Sequence, residues 1–200
     1  MNLQDKIKTT KQSESIKQVT HKQITFNDLW ENYPSKEDIK HNDDKIDNYC
    51  AINVGEALIK SGIIIKHKSK RGTYNGKMCW ACPSGINNTH PLLAQELADW
   101  LLEKPFAGCP AVIKMTGAKF REKINNKTGI IFFKDYWQRS GETGGARTGD
   151  HIDLWDGRGI DKLRSQNGIE NFVTNTLELY WDSIYSNKNK AKEVWFWEIK

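Results

Sequence analysis

Long apolar segments are missing from this chain. No run of apolar residues approaches the ~18 that a membrane-spanning helix needs, so no membrane span is predicted. The first residues, from Met1 to Lys6, lead into a polar stretch rich in lysine, glutamine, serine and threonine, whereas a signal peptide continues into an apolar segment. We therefore expect no signal peptide and no export by the general secretory route. Delivery by a specialised machine that needs no cleaved leader is compatible with the sequence.

Cysteine is scarce. Four cysteines in 200 residues are too few for a disulfide scaffold and suffice for one bridge or one metal site at most. Cys79 and Cys82 have the two-residue spacing of zinc ligands, with His90 and Cys109 as further candidates, but the sequence holds no second paired element. We therefore predict no metal and no cofactor. Two alternatives stay open for these three cysteines, a disulfide among them or free thiols.

Clustered positive charge is also lacking. The net charge is +5 and the pI is about 8.9, which favours anionic partners such as cell-wall polymer, acidic lipid or nucleic acid. The lysines, however, are spread over the whole sequence without the interleaved aromatic residues of a nucleic-acid stacking surface. No nucleic-acid partner is predicted.

The sequence does contain enough apolar and aromatic residues for one core. Eight Trp, seven Phe and six Tyr, within an apolar fraction of 38%, are typical of a folded domain of this length. Residues 1–22 are polar and lack apolar periodicity. We therefore predict a flexible N-terminal arm over 1–22 and one domain over 23–200.

Apolar spacing divides the domain into helices and strands. Helices are predicted over 25–34, 48–62, 91–102 and 169–185. Thr25 or Asn27 caps the first helix, Asp47 or Asn48 caps the second, and Pro91 begins the third. Strands are predicted over 111–115, 129–133, 150–155 and 193–199, with a hairpin turn at 156–157. The fold class is α+β, with a helical part packed on an antiparallel sheet.

Cys50 lies in the first turn of the predicted second helix. There the unpaired N–H groups and the helix dipole favour a thiolate, and the same groups, with the N–H of Cys50, can bind the oxyanion that forms when a carbonyl is attacked. His151 opens an alternating strand directly after a glycine-rich loop, where its side chain can reach a cleft. This order is that of papain-like enzymes, so we predict Cys50 as nucleophile and His151 as its base.

Four segments carry a family resemblance beyond this pair. They read NYCAINVGEAL at 48–58, KTGIIFF at 127–133, GDHIDLWDG at 149–157 and VWFW at 194–197. In order and approximate spacing they resemble the fourth family of type VI secretion amidase effectors over residues 25–200. The His-x-x-Leu-Trp-x-Gly hairpin is the most specific of the four segments.

The resemblance implies a papain-like, NlpC-type cysteine peptidase fold. It implies a peptidoglycan amidase toxin, a DL-endopeptidase that hydrolyses the bond between D-glutamate, through its γ-carboxyl, and meso-diaminopimelate in wall peptide stems. It also implies delivery from the producer cytoplasm by a type VI secretion apparatus into the periplasm of target bacteria. A cognate immunity protein that inhibits the toxin in the producing cell is the further expected partner.

The resemblance also implies a third catalytic residue, an aspartate about ten residues after the histidine. Asp161 is the nearest match in this sequence. A three-residue turn would place Asp161 opposite Asp153, on the face of His151, whereas a two-residue turn would place it on the other face. Asp153 and Asp156 stay open as alternatives.

The loop at 141–149 is rich in glycine but lacks the Gly-Lys-Ser/Thr ending of a phosphate loop and precedes a strand. We predict a mobile loop beside the substrate cleft. Within it, Arg147 either meets a wall-peptide carboxylate or is a solvated loop residue.

Two other functions fit the same residues. A Cys–His deamidase or acyltransferase that acts on a protein would use the same pair of side chains. A non-catalytic binding module would instead bury Cys50 as a small core residue.

Overall fold

The computed structural model describes residues 5–8, 16–19, 23–34, 46, 48–65, 74, 76–79, 90–139, 141–143, 145–159, 162–166 and 188–200. The helices are α1 (Phe26–Glu31), α2 (Cys50–Lys60), α3 (Ala94–Leu102) and α4 (Phe120–Lys123), and the strands are β1 (Asp5–Lys8), β2 (Ile16–Val19), β3 (Ile113–Met115), β4 (Thr128–Trp137), β5 (Gly149–Asp156), β6 (Lys162–Leu163) and β7 (Glu193–Glu198). Within these ranges no helix has the length and apolar character needed to cross a membrane. The helix predicted over 169–185 lies outside the described residues.

β1 and β2 form a separate two-stranded antiparallel sheet inside the predicted N-terminal arm. Sequence analysis does not predict these strands, because four-residue segments with few apolar residues show no clear period. The other residues of 1–22 lie outside the described part of the chain, and the domain boundary at residue 22 stays a prediction.

The main sheet has the strand order β3-β7-β4-β5-β6, and every neighbouring pair is antiparallel. The four strands predicted from apolar runs correspond to β3, β4, β5 and β7. β7 lies between β3 and β4, although it follows all the other strands in sequence. The predicted antiparallel sheet is therefore confirmed.

Both faces of this sheet are covered, which explains the uninterrupted apolar run in β4. Ile130 and Phe132 pack in one core cluster with residues of α1, α2 and α3. Ile131 and Phe133 pack in a second cluster with Phe120 of α4. Neighbouring residues of a strand point to opposite faces, and burying each of these side chains contributes about 1.5–3 kcal/mol. The helical layer is thereby fixed against one face of the sheet.

α1 begins where its cap predicts. The Asp28 N–H donates to Thr25 Oγ1 at 3.1 Å, and the Thr25 N–H donates to Asp28 Oδ2 at 2.9 Å, so the two residues form a capping box. Of the two predicted caps, Thr25 is the correct one.

The start of α3 differs from the prediction, because the helix begins at Ala94 and not at Pro91. Pro91 instead bridges to Met78, and the Leu92 N–H donates to the carbonyl of Lys77 at 3.0 Å. These extended contacts hold the chain out of the helical conformation. A favourable N1 residue is here overridden by tertiary pairing.

The connection between β5 and β6 also differs from the prediction. Asp156 pairs with Lys162, so residues 157–161 form the connection, and the expected turn of two or three residues is wrong. The reason is that Gly157 is engaged elsewhere: its N–H donates to the carbonyl of Lys127 at 2.9 Å, and its carbonyl accepts the N–H of Asn126 at 3.0 Å. The three-residue turn that would place Asp161 opposite a β5 aspartate is therefore not formed.

Gly129 lies where β4 and β7 approach each other too closely for a side chain. A Cβ there would lie 2.0 Å from the carbonyl oxygen of Trp197 in β7, so a side chain forces β4 and β7 apart. We expect Gly129→Ala to lower the free energy of unfolding by about 3 kcal/mol, measured by urea unfolding. Gly141→Ala is the matched control: no atom lies within 4 Å of its Cβ, and only its φ of +89° is strained, at a cost of about 1–2 kcal/mol. Equal losses in the two variants would contradict this account.

Candidate functional site

Cys50 is the first residue of α2 and is 8% exposed. Tyr49 occupies the N-cap position, but its side chain does not cap the helix, and Asn48 Oδ1 accepts the backbone N–H of Cys50 at 3.2 Å. Asn48, one of the two predicted N-caps, therefore precedes the N-cap position and accepts the N–H of Cys50, not a later N–H of the first turn. The other predicted cap, Asp47, lies outside the described residues. The helix dipole favours a negative charge on the Cys50 sulfur.

β5 places His151 beside the Cys50 side chain, near enough for the sulfur to raise the pKa of the ring. Burial by itself would lower the pKa of His151, whose side chain is 18% exposed. The hydrogen bonds and negative charges of Asp153 and Cys50 outweigh burial and raise the pKa of His151 to about 9. At neutral pH the ring is therefore an imidazolium beside the sulfur, placed to give its proton to a leaving group.

Asp153 provides the counter-charge for this imidazolium. Its Oδ2 lies 3.4 Å from His151 Nε2, which leaves Nδ1 as the ring nitrogen available to Cys50. Asp153 is fully buried, and its carboxylate accepts the N–H of Leu154 at 2.8 Å, the N–H of Ser165 at 3.2 Å and the hydroxyl of Ser165. These donors satisfy a buried charge that would otherwise be costly.

Tyr33, two residues after the end of α1, lies next to the site. It is 5% exposed, and its hydroxyl lies beside Asp153 and Asn53. Burial, with the nearby charges of Asp153 and Cys50, holds the pKa of Tyr33 well above its usual value. Among the described residues the Tyr33 hydroxyl has no hydrogen-bond partner of good geometry, so Asp153 and Asn53 are its neighbours only.

The candidate site residues are only partly assembled. Cys50, His151 and Asp153 lie together, whereas Asp161 lies outside the described residues. Asp156 accepts two hydrogen bonds from the guanidinium of Arg158, at 2.9 and 3.0 Å, near the end of β5. Arg147 is half-buried in the loop before β5, and its role in substrate contact stays a prediction.

Sequence reasoning missed Ser165, Tyr33 and the contact of Asn48. Only the position of Asp153 had a local signal, since residues two apart on a strand share a face and the motif contains His-x-Asp. Ser165 and Tyr33 reach the site through tertiary packing of distant segments, which leaves no mark in local spacing.

Cys79 belongs to a second polar cluster. It is disulfide-bonded, whereas Cys109 is a free buried thiol and Cys82 lies outside the described residues. His90 Nδ1 lies 3.5 Å from Cys79 Sγ, and His90 Nε2 lies 2.7 Å from Glu56 on α2. The hydrogen bond with His90 lowers the pKa of Glu56. In the described part of the chain, no three His, Cys, Asp or Glu side chains are grouped to hold a metal ion.

Comparison with known proteins gives a family and a fold. A sequence model described as type VI secretion system (T6SS) amidase effector protein 4, or Tae4, matches residues 46–197. No curated protein matches the chain. Among solved structures, the effector–immunity system Tae4/Tai4 from Salmonella typhimurium is 17% identical with a TM-score of 0.56, covering 90% of this chain and 100% of the other. Tae4 from Enterobacter cloacae is 14% identical with a TM-score of 0.57, covering 90% and 99%. These matches confirm the α+β fold.

Proposed function

The chain belongs to the Tae4 family of type VI secretion system amidase effectors, as its resemblance predicts, and from this premise we propose that it cuts wall peptides with Cys50 as nucleophile and His151 as acid and base. The observation that carries the proposal is the proximity of Cys50, the first residue of α2, to the His151 ring of β5. Asp153 is the proposed third residue, because its Oδ2 lies 3.4 Å from His151 Nε2.

The proposed reaction has two halves. The Cys50 thiolate attacks the carbonyl carbon of the scissile amide, the C–N bond breaks as the His151 imidazolium gives its proton to the leaving amine, and a thioester remains on the sulfur. Neutral His151 then takes a proton from water as the water attacks the thioester. Collapse of the second intermediate releases the carboxylic acid product and restores the thiolate–imidazolium pair.

The oxyanion of each half requires a donor close to the sulfur. The backbone N–H of Cys50 is the proposed donor, and in the free protein it points to Asn48 Oδ1. The substrate oxyanion would therefore replace Asn48 as acceptor. One such donor is typically worth ~2.7–4 kcal/mol of barrier.

The proposed substrate is the bond between the γ-carboxyl of D-glutamate and meso-diaminopimelate in peptidoglycan stems, cut in the periplasm of a target bacterium. This specificity rests on the family resemblance. The Salmonella typhimurium and Enterobacter cloacae structures include effector–immunity complexes of Tae4 with Tai4. By the same relationship, we propose that a cognate immunity protein inhibits this chain in the producing cell, and that a type VI apparatus exports it.

Digestion of purified sacculi tests the substrate. We expect products that end in D-glutamate and products that begin with a free amine of meso-diaminopimelate, identified by chromatographic mass analysis. Cells that express the protein in their periplasm should lyse, whereas cytoplasmic expression should be tolerated. Intact muropeptides combined with ammonia release from protein substrates would instead indicate a deamidase and contradict the proposal.

A further inference from the structure

The carboxylate of Asp153 is shared between two elements. Its Oδ2 atom contacts His151 Nε2 at 3.4 Å, and the same atom accepts the N–H of Ser165 at 3.2 Å and the Ser165 hydroxyl. The bond to His151 is long for a charge-assisted hydrogen bond, which is normally 2.7–2.9 Å. Ser165 and His151 therefore share one carboxylate oxygen, and the hydrogen bonds from Ser165 weaken the interaction of that oxygen with His151.

Arg164 fixes Ser165 in this position. Its Nε donates to the carbonyl of Trp30 in α1 at 3.1 Å, and its guanidinium lies 5.3 Å from the Trp30 ring and 5.4 Å from the Tyr33 ring. A planar guanidinium that lies over aromatic rings and donates a directional hydrogen bond is held more rigidly than the flexible ammonium group of a lysine would be. The turn that carries Ser165 is thus held against the end of α1.

Tyr33 meets the same carboxylate from the α1 side. Its hydroxyl is buried beside Asp153 but forms no well-aligned hydrogen bond with any residue that the structure describes. A buried hydroxyl without a partner is destabilising, and in native proteins such a group calls for an explanation. The explanation here is that the Tyr33 hydroxyl can donate a hydrogen bond to Asp153 when His151 loses its proton, because the carboxylate then needs a new partner.

We propose that Ser165 and Tyr33 are positioning residues that compete with His151 for the Asp153 carboxylate, so that His151 can release its proton to the leaving amine. In the half-reaction in which His151 is neutral, both hydroxyls stabilise the carboxylate left without its imidazolium partner. The catalytic use of the His151 proton rests on the proposed function, whereas the contacts of Asp153 do not depend on it. Within the described ranges, the other titratable or charged groups near the pair are Cys50 on α2, Tyr136 on β4, with its ring centroid 6.1 Å from that of His151, and Arg164.

Ser165→Ala tests the competition directly. Removing the hydroxyl leaves the buried carboxylate more dependent on His151, so the proton affinity of His151 should rise about tenfold, a change of about one in its pKa. NMR titration of the imidazole signals in the full chain measures this without substrate, with His151→Gln to assign the resonance. On wall peptides, kcat should fall several-fold at unchanged KM, because a weaker acid donates its proton more slowly. The alkaline limb of the kcat profile should move to higher pH.

Tyr33→Phe gives a second, independent signature. Deleting an unpartnered buried hydroxyl should raise the urea midpoint of unfolding while kcat falls and the pKa of His151 rises by less than in Ser165→Ala. A purely structural tyrosine would not combine higher stability with lower kcat.

Two controls separate the outcomes. Ser165→Thr keeps a hydroxyl and should restore the wild-type pKa of His151, and Ser61→Ala removes a hydroxyl that bonds Asn32 at 3.1 Å and should change nothing at the site. An unchanged or lower pKa of His151 in Ser165→Ala would overturn the inference. Absence of wall-peptide hydrolysis by the wild type would overturn the proposed function alone, since the titration result would stand.

Discussion

Cys50→Ala is expected to abolish wall-peptide hydrolysis while the protein remains folded. The thiolate is the only proposed group that forms the covalent bond to the substrate, so no slower route through the same site remains. Cys50 is a small residue at the start of α2, and its loss removes one sulfur from the core without breaking a backbone contact. Activity is measured by muropeptide release and folding by circular dichroism and urea unfolding.

His151→Ala and Cys109→Ala complete this test. His151→Ala should lose ~10²–10⁴-fold in rate, the usual value of general acid–base catalysis. Cys109 is also a buried free thiol, but burial raises its pKa to about 12, so Cys109→Ala should keep wild-type activity. Retained hydrolysis in Cys50→Ala would end the cysteine mechanism, and a dead Cys109→Ala would show that loss of activity reflects misfolding.

The second large effect is expected for Asp153→Asn. An amide at this position cannot balance the imidazolium, so the pKa of His151 should fall from about 9 toward 6.5 and kcat should fall by ~10²-fold or more. The alkaline limb of the kcat profile should move to lower pH, opposite in direction to the shift expected for Ser165→Ala. The measurement is a pH–rate profile on wall peptides with the imidazole titration beside it.

Asp161→Asn is the matched comparison, since it changes the residue that the family pattern favours by spacing. If Asp153 is the partner of His151, Asp161→Asn should keep both the rate and the titration of the wild type. A loss of rate in Asp161→Asn but not in Asp153→Asn would instead show that Asp161 is the third catalytic residue. Asp156→Asn should be silent at the site, because its carboxylate is engaged by Arg158.

Wild-type stability should show the same titration. The pKa of His151 is raised above its ordinary value of 6.5, so the stability that its protonated form contributes is fully present below about pH 6.5 and is lost as pH rises through about 9. Asp153→Asn should flatten this dependence.

The sequence allowed prediction wherever the signal was local. Thr25, one of the two predicted caps, is the N-cap of α1. The helix that starts at Cys50 and the strand that carries His151 were predictable because a helix start and an alternating strand both leave a pattern in neighbouring residues. Pro91 misled for the opposite reason, since its pairing with Met78 overrode a favourable helix position.

The residues around Cys50 and His151, the proposed catalytic pair, could not be predicted in the same way. Ser165 meets Asp153 only because five residues join β5 to β6, and that length depends on hydrogen bonds between Gly157 and the 126–127 turn. Arg164 and Tyr33 meet although 130 sequence positions lie between them. Neither relation has a local period, so only the fold reveals them.

The place of β7 within the sheet has a consequence for biosynthesis. β4 lacks its neighbour on one side until translation has passed Glu198, because β7 is the strand that fills the gap between β3 and β4. The five-stranded sheet therefore cannot be completed before β7 has been synthesised, and until then β4 exposes the edge that β7 will cover.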